Sequence, residues 1–214
     1  MNERIHPIHK IHALFQNFYF IENTSILVGS LPEKIISEID GMVDHCTSIM
    51  HDDLAYLREH MNAGKNSYQV SVPSPMIEDS YILPFLNHMG EFYVHKFKNL
   101  PYPDIFRKVI LRKDYGHYDG YNFWINYSYI NDINPVHTHG GSLSGVIYVK
   151  NETGEETVFP DVNTTYSGKR GDIVMFPSNL RHQVNLKETR NERITIAYNM
   201  DYLDNYMSDM NYLG

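Results

Sequence analysis

Cysteine is almost missing from this 214-residue sequence: Cys46 stands alone. One thiol excludes an intramolecular disulfide and any zinc site built on several cysteines, and it fits a reducing compartment. Its place in an apolar, helix-like pattern makes it a small buried hydrophobe rather than a nucleophile. Long hydrophobic runs are lacking too. No window approaches the ~20 apolar residues of a membrane span. The segment from Met1 to Leu14 carries Glu3, His6, His9, Lys10 and His12 and has no apolar stretch of secretory-signal length. The expectation is a soluble, cytoplasmic protein. Positive charge is the third deficit, with 18 Lys and Arg against 26 Asp and Glu and a net charge of -8. That balance argues against a general nucleic-acid binder, because a phosphate backbone rewards clustered cations. It leaves room for a local basic pocket.

What is present belongs to a folded chain. Hydrophobic residues make up 42%, with 17 Tyr and 10 Phe, well above a disordered composition. The length suits a single domain, 1–214. Residues 1–106 read as mostly helical. Leu31-Pro32-Glu33 has the Pro and acidic first turn of a helix start, and Ile35, Ile36, Ile39, Met42, Val43 and Cys46 recur on one face. A second helix is expected over 52–61 and a third over 77–97, with Pro84 either kinking the third or marking its true start. From 107 to 200 the sequence breaks into short β-like runs: 121–129, 143–150, 157–160, 172–176, 183–186 and 193–198. Such a series predicts a mainly β (α+β) fold, a sandwich, jelly roll or small barrel, with the helices buttressing one face. Residues 201–214 read as a C-terminal tail. A near-repeat at the start places His6, His9 and His12 three apart, but Pro7 breaks any helix that would stack them, so no metal is expected there.

The segment Asn134-Pro135-Val136-His137-Thr138-His139-Gly140-Gly141 carries the chemistry. In a strand, residues two apart share a face, so His137 and His139 project together. The glycine pair lets the backbone turn closely around an ion or substrate. A third ligand is offered by His182, at the end of Gly171-Asp172-Ile173-Val174-Met175-Phe176-Pro177-Ser178-Asn179-Leu180-Arg181-His182, because a jelly roll returns a late strand beside an early one. Downstream, alternation over Glu192–Tyr198 puts Arg193, Thr195 and Ala197 on one face. An inward Arg is costly unless it meets an acceptor, and its planar fork suits a dicarboxylate.

Taken together, Trp124-Ile125-Asn126, His137-Thr138-His139, Ser142-Leu143-Ser144-Gly145-Val146-Ile147-Tyr148, Phe176-Pro177-Ser178-Asn179-Leu180-Arg181-His182 and Glu192-Arg193-Ile194-Thr195-Ile196 resemble a subgroup of 2-oxoglutarate/Fe(II) oxygenases of bacteria and phages. The resemblance covers roughly the C-terminal 90 residues. It implies a double-stranded β-helix (jelly roll) with Fe(II) held by His137, His139 and His182. Arg193 would anchor 2-oxoglutarate, with Tyr148 and Asn126 as its neighbours. The implied reaction is a dioxygenase hydroxylation of a protein side chain, such as prolyl, or of a small metabolite. It consumes O2 and 2-oxoglutarate and yields succinate and carbon dioxide. One departure stands out: the usual set is two His and one carboxylate, and here His139 occupies the acid's position. Three neutral imidazoles also suit zinc. Asp161 or Asp132 is the alternative carboxylate, although neither has the usual spacing.

Two other classes share the architecture. A cupin-type metalloprotein fits the run from Gly171 through His182 to Asn185, but it wants a Glu a few residues after H-x-H, and Gly140–Gly145 offers none. A non-catalytic jelly-roll protein would keep the shape without the metal. Ser142 and Ser144 are read equally well as pocket groups or as turn and strand-edge residues. His117 is read as solvent-exposed, and the aromatic run 115–129 as core and sheet surface.

Overall fold

In the computed structural model, the residues described are 15–52, 67–98, 108–114 and 120–203. Two antiparallel sheets make the frame. The larger has the strand order β1-β2-β12-β9-β14-β7-β3, with β4 added alongside β14. Its strands are β1 (Tyr19–Phe20), β2 (Leu27–Ser30), β3 (Ser67–Ser71), β4 (Lys108–Leu111), β7 (Phe123–Ser128), β9 (Leu143–Asn151), β12 (Asp172–Pro177) and β14 (Arg193–Leu203). The smaller sheet runs β11-β10-β13-β8, from β8 (Asn134–His137), β10 (Thr157–Phe159), β11 (Thr164–Tyr166) and β13 (His182–Val184). A short hairpin, β5 (Lys113–Asp114) with β6 (Gly120–Tyr121), lies apart from both. This is the jelly-roll architecture the strand pattern predicts.

Period-two alternation sorts the larger sheet's side chains into two faces. On β7, Phe123, Ile125 and Tyr127 enter the main core; on β14, Ile194, Ile196, Tyr198 and Met200 do the same. The helices cover that face. Helix α1 (Glu33–Asp52) contributes Ile35, Ile39, Met42, Val43 and Cys46, and α3 (Ile82–Lys98) contributes Phe85, Leu86, Met89, Phe92 and Tyr93. Each such side chain withdrawn from water stabilises the fold by about 1.5–3 kcal/mol before entropy is counted. The opposite face of the larger sheet looks toward the smaller sheet. Part of that space is a second apolar cluster of Ile26, Val28, Tyr148, Phe159, Val174 and Phe176. The rest is a cavity.

Several local expectations are redrawn. The third predicted helix is two: α2 (Ser74–Glu78) stops before α3, and Pro84 sits in the first turn of α3, where its missing N–H costs nothing. The N-terminal half is more than a buttress, since β1 and β3 form the two ends of the larger sheet's strand order. Residues 201–203, read as tail, continue β14 and pair with β4. The helix expected over 52–61 lies outside the described residues except for Asp52, which ends α1, and the N-terminal histidine repeat and His117 lie outside them too. No helix among those described is long and apolar enough to cross a membrane.

Candidate metal and anion site

His137 and His182 face each other directly across the β8–β13 pair. Strand β8 ends at His137, so His139 does not share its strand face as predicted; it follows in a loop. That loop is pinned, because the His139 backbone N–H donates to the Ser178 carbonyl at 2.9 Å. Ser178 is itself held by its backbone bond to the Ser142 carbonyl and by its hydroxyl's bond to Ser144, which in turn donates to Asn199. Ser142, Ser144 and Ser178 therefore place His139 rather than line the cavity, whereas Phe176 of the same motif does line it. Gly141, at φ +98°, makes the turn that a side chain would oppose.

The three imidazoles converge. Their ligand nitrogens lie within 4.8 Å of one another, and no carboxylate joins the cluster among the described residues. The His137 Nδ1–H donates to the Pro135 carbonyl at 2.7 Å, and the His182 Nδ1–H donates to the Leu180 carbonyl at 3.1 Å. A carbonyl only accepts, so each Nδ1 must carry the proton, which leaves Nε2 as the ligand atom of each ring. His139 Nε2 is 3.2 Å from His182 Nε2. Ligands bound at about 2.0–2.1 Å to one ion, at right or tetrahedral angles, sit roughly 3.0–3.4 Å apart. The donor set therefore fits a divalent metal of the borderline kind that imidazole prefers.

Burial keeps the rings of His139 and His182 neutral. Phe176 packs 4.7 Å from the His182 ring, and Trp124 lies 5.7 Å from that of His139. Desolvation, with the neighbouring imidazoles His182 and His137, pushes His139 down to about 3. Desolvation likewise lowers His182 to about 4, against a smaller opposing pull from the Leu180 carbonyl. Neutral imidazole is the ligand form, so the site is ready for a cation at ordinary pH.

The cluster opens on a cavity of about 370 Å³ between the sheets, within the range of small-ligand sites. Its floor is the polar face of the larger sheet. Gln69, Asn126 and Thr195 lie in one cross-strand row, and Ser128 and Arg193 in the next. Arg193 is only 4% exposed. Its Nε has no partner, and no carboxylate pairs with it among the described residues. Its guanidinium carbon lies 5.6 Å from the Tyr148 ring.

Asn126 lines the cavity, and its Oδ1 accepts from the Trp124 indole at 3.1 Å. Tyr148 stands behind the wall: its hydroxyl bonds the Thr157 hydroxyl at 2.7 Å, and Thr157 is the group that faces the cavity. Asp161 is occupied elsewhere, accepting from the Arg181 side chain at 2.8 Å and from its backbone. Asp132 reaches the cavity wall without joining the histidines. Gln69, Ser128 and Asn134 also line the cavity and escaped sequence reasoning. A polar residue on a strand signals nothing until the strand's neighbours are known.

The chain matches, over residues 160–199, the family model described as "Putative 2OG-Fe(II) oxygenase". No curated protein matches it in sequence. Among solved structures it is similar to the viral collagen prolyl hydroxylase of Paramecium Bursaria Chlorella virus-1 in its 2OG complex. The identity is 12% and the TM-score 0.51, covering 86% of this chain and 98% of that one. It is also similar to SnoN, a non-heme alpha-ketoglutarate-dependent epimerase of nogalamycin biosynthesis, at 12% identity and TM-score 0.51, covering 92% of this chain and 82% of that one. A hydroxylase and an epimerase on one architecture mean that the fold does not select the reaction. The segment that matches the family model contains His182 and Arg193, and the solved structures share the jelly-roll frame around it.

Proposed function

We propose that this protein is a 2-oxoglutarate-dependent iron(II) oxygenase that hydroxylates an unactivated C–H bond of a small metabolite or a protein side chain, with iron(II) held by His137, His139 and His182 and 2-oxoglutarate anchored by Arg193. One observation carries the assignment of roles. A buried guanidinium without an anion partner among the described residues and three converging imidazoles open on the same cavity. Bound iron(II) supplies the oxygen activation that couples decarboxylation of 2-oxoglutarate to substrate oxidation.

The chain's own residues divide the remaining work. The Pro135 and Leu180 carbonyls fix two ligand rings in the tautomer that offers Nε2. With three uncharged ligands the ion keeps its full double charge, which favours a dianionic cosubstrate. Arg193 offers that dianion a planar donor fork in a desolvated place, where a charge-assisted pair is stronger than in water. Phe176, Val146 and Trp124 keep the wall beside the histidines apolar and limit water.

The test is succinate release from 2-oxoglutarate with iron(II) and ascorbate, without added substrate, repeated on His182→Ala and Arg193→Ala. Slow uncoupled turnover is expected in the unaltered protein. His182→Ala should lose metal and turnover; Arg193→Ala should keep metal and lose cosubstrate affinity. If the iron(II) protein neither binds nor consumes 2-oxoglutarate, the proposal fails.

A further inference from the structure

One buried carboxylate in the cavity has no part in that reading. Asp132 is 6% exposed and lines the cavity; among the described residues it is the sole acid on that wall, and Arg193 the sole permanent cation. The Oδ1 of Asp132 has no hydrogen-bond partner among the described residues. An orphaned acceptor of this kind is expensive, and more so on a charged group.

The surroundings offer two cations, and neither serves Asp132. Lys187 is adjacent: its backbone N–H donates to the Asp132 carbonyl at 2.8 Å, and its own carbonyl accepts from the Asn131 N–H at 2.8 Å. Yet the Lys187 ammonium turns away to Glu155 and to Thr189. Arg193 faces the same cavity with its Nε likewise unpartnered. The Asp132 backbone is thus clasped on a turn, with Asn131 held at φ +64°, and the carboxylate is left without a counter-ion among the described residues. Ile133, Pro135 and Val184 beside it are apolar and supply contact area without competing donors.

We propose that Asp132 recognises a protonated amine on the primary substrate, which makes the substrate class small alkylammonium compounds, either free amines or lysine-like side chains. The inference rests on the proposed function for the reaction, but the recognition itself needs neither metal nor cosubstrate. The cavity then carries an anion receptor at Arg193 and a cation receptor at Asp132. Separate charges for separate ligands explain why the two residues do not neutralise each other.

The experiment compares isosteric probes on the full chain by calorimetry, with and without metal and 2-oxoglutarate. Butylamine and 1,4-diaminobutane are set against 1-butanol, and N-acetyl-lysinamide against N-acetyl-norleucinamide; the second pair distinguishes a side-chain source from a free amine. Amines should bind about tenfold tighter or more than the neutral isosteres, the scale of a hydrogen bond to a charged group. Asp132→Asn should erase that preference while leaving the Kd for 2-oxoglutarate unchanged. Equal binding of amine and alcohol by the unaltered protein overturns the proposal and needs no variant to fold. So does an Asp132→Asn protein that keeps the preference, or one whose only change is tighter 2-oxoglutarate, which would make Asp132 a counter-charge for Arg193. An amine preference that persists while 2-oxoglutarate is neither bound nor consumed would instead sink the oxygenase reading and leave this one standing.

Discussion

Replacing Arg193 by Met separates a ligand anchor from a structural cation, because the two roles predict opposite signs for stability. In the ligand-free protein the guanidinium is 4% exposed, its Nε is unpartnered among the described residues, and its central carbon lies 5.6 Å from the Tyr148 ring. A cation–π contact at that separation contributes about 0.5–2 kcal/mol. Burying a charge costs several kcal/mol even after relaxation, and exchanging buried ions for packed apolar side chains is often neutral or stabilising. Arg193→Met should therefore leave the ligand-free Tm unchanged or raise it. Binding moves the other way. Removing one partner of a desolvated charge pair costs about 2–5 kcal/mol, so the Kd for 2-oxoglutarate should rise about 30-fold to several thousandfold. In the unaltered, metal-loaded protein, 2-oxoglutarate at 100 times Kd adds about 2.7 kcal/mol, or roughly 5–10 °C in Tm. Scanning calorimetry of both proteins, with and without the cosubstrate, reads all of this at once. A ligand-free Arg193→Met protein destabilised by more than about 2 kcal/mol would refute the reasoning.

Three further predictions follow from the geometry. For His139 and His182, the folded-state values of about 3 and 4 lie below the unfolded value of 6.5. Their neutral forms thus contribute stability that is fully present above 6.5 and lost as pH falls toward 4. The metal-free Tm should drop across that window in a pH series, and His182→Gln should flatten the drop. For the buried Lys187–Glu155 pair, side-chain exposures are 2% and 13%. Burial alone would raise the Glu155 carboxyl, but hydrogen bonds from Lys187, Thr153 and Thr189 outweigh it and hold it at about 2. Lys187→Met should cost about 3–5 kcal/mol in urea unfolding, and adding Glu155→Gln should recover much of it; no recovery would dissolve the pairing argument. At Gly90 in α3, a Cβ would meet the Val109 Cγ1 at 2.4 Å. Gly90→Ala should therefore destabilise by about 1–3 kcal/mol by prying helix from sheet, despite alanine's better helix propensity.

How much of this was legible in the sequence depended on whether the signal was local. The floor of the cavity was written in strand alternation: Arg193, Thr195 and Ala197 share a face because period two is a property of one strand. The positions of α1 and of the start of α3 were written in Pro32 and Pro84, whose fixed φ acts on their own turn. His182 was found because a motif stood in for a contact that spacing alone does not give. The residues that escaped are those defined by pairing. Gln69 joins the floor only because β3 lies against β7, and nothing within Ser67–Ser71 announces that neighbour. Short strand β2 escaped for the same reason, since four residues carry too little periodicity to be told from a loop. Asp132 is the sharpest case. In the sequence it is one acid among 26 Asp and Glu, considered only as a substitute ligand for the metal. Its meaning comes from two facts that exist only in three dimensions: the neighbouring Lys187 spends its ammonium on Glu155, and Arg193 shares the cavity without pairing. What selects a substrate here is thus an interaction left unmade. A sequence records which groups are available, but which of them remain unsatisfied is decided by the fold.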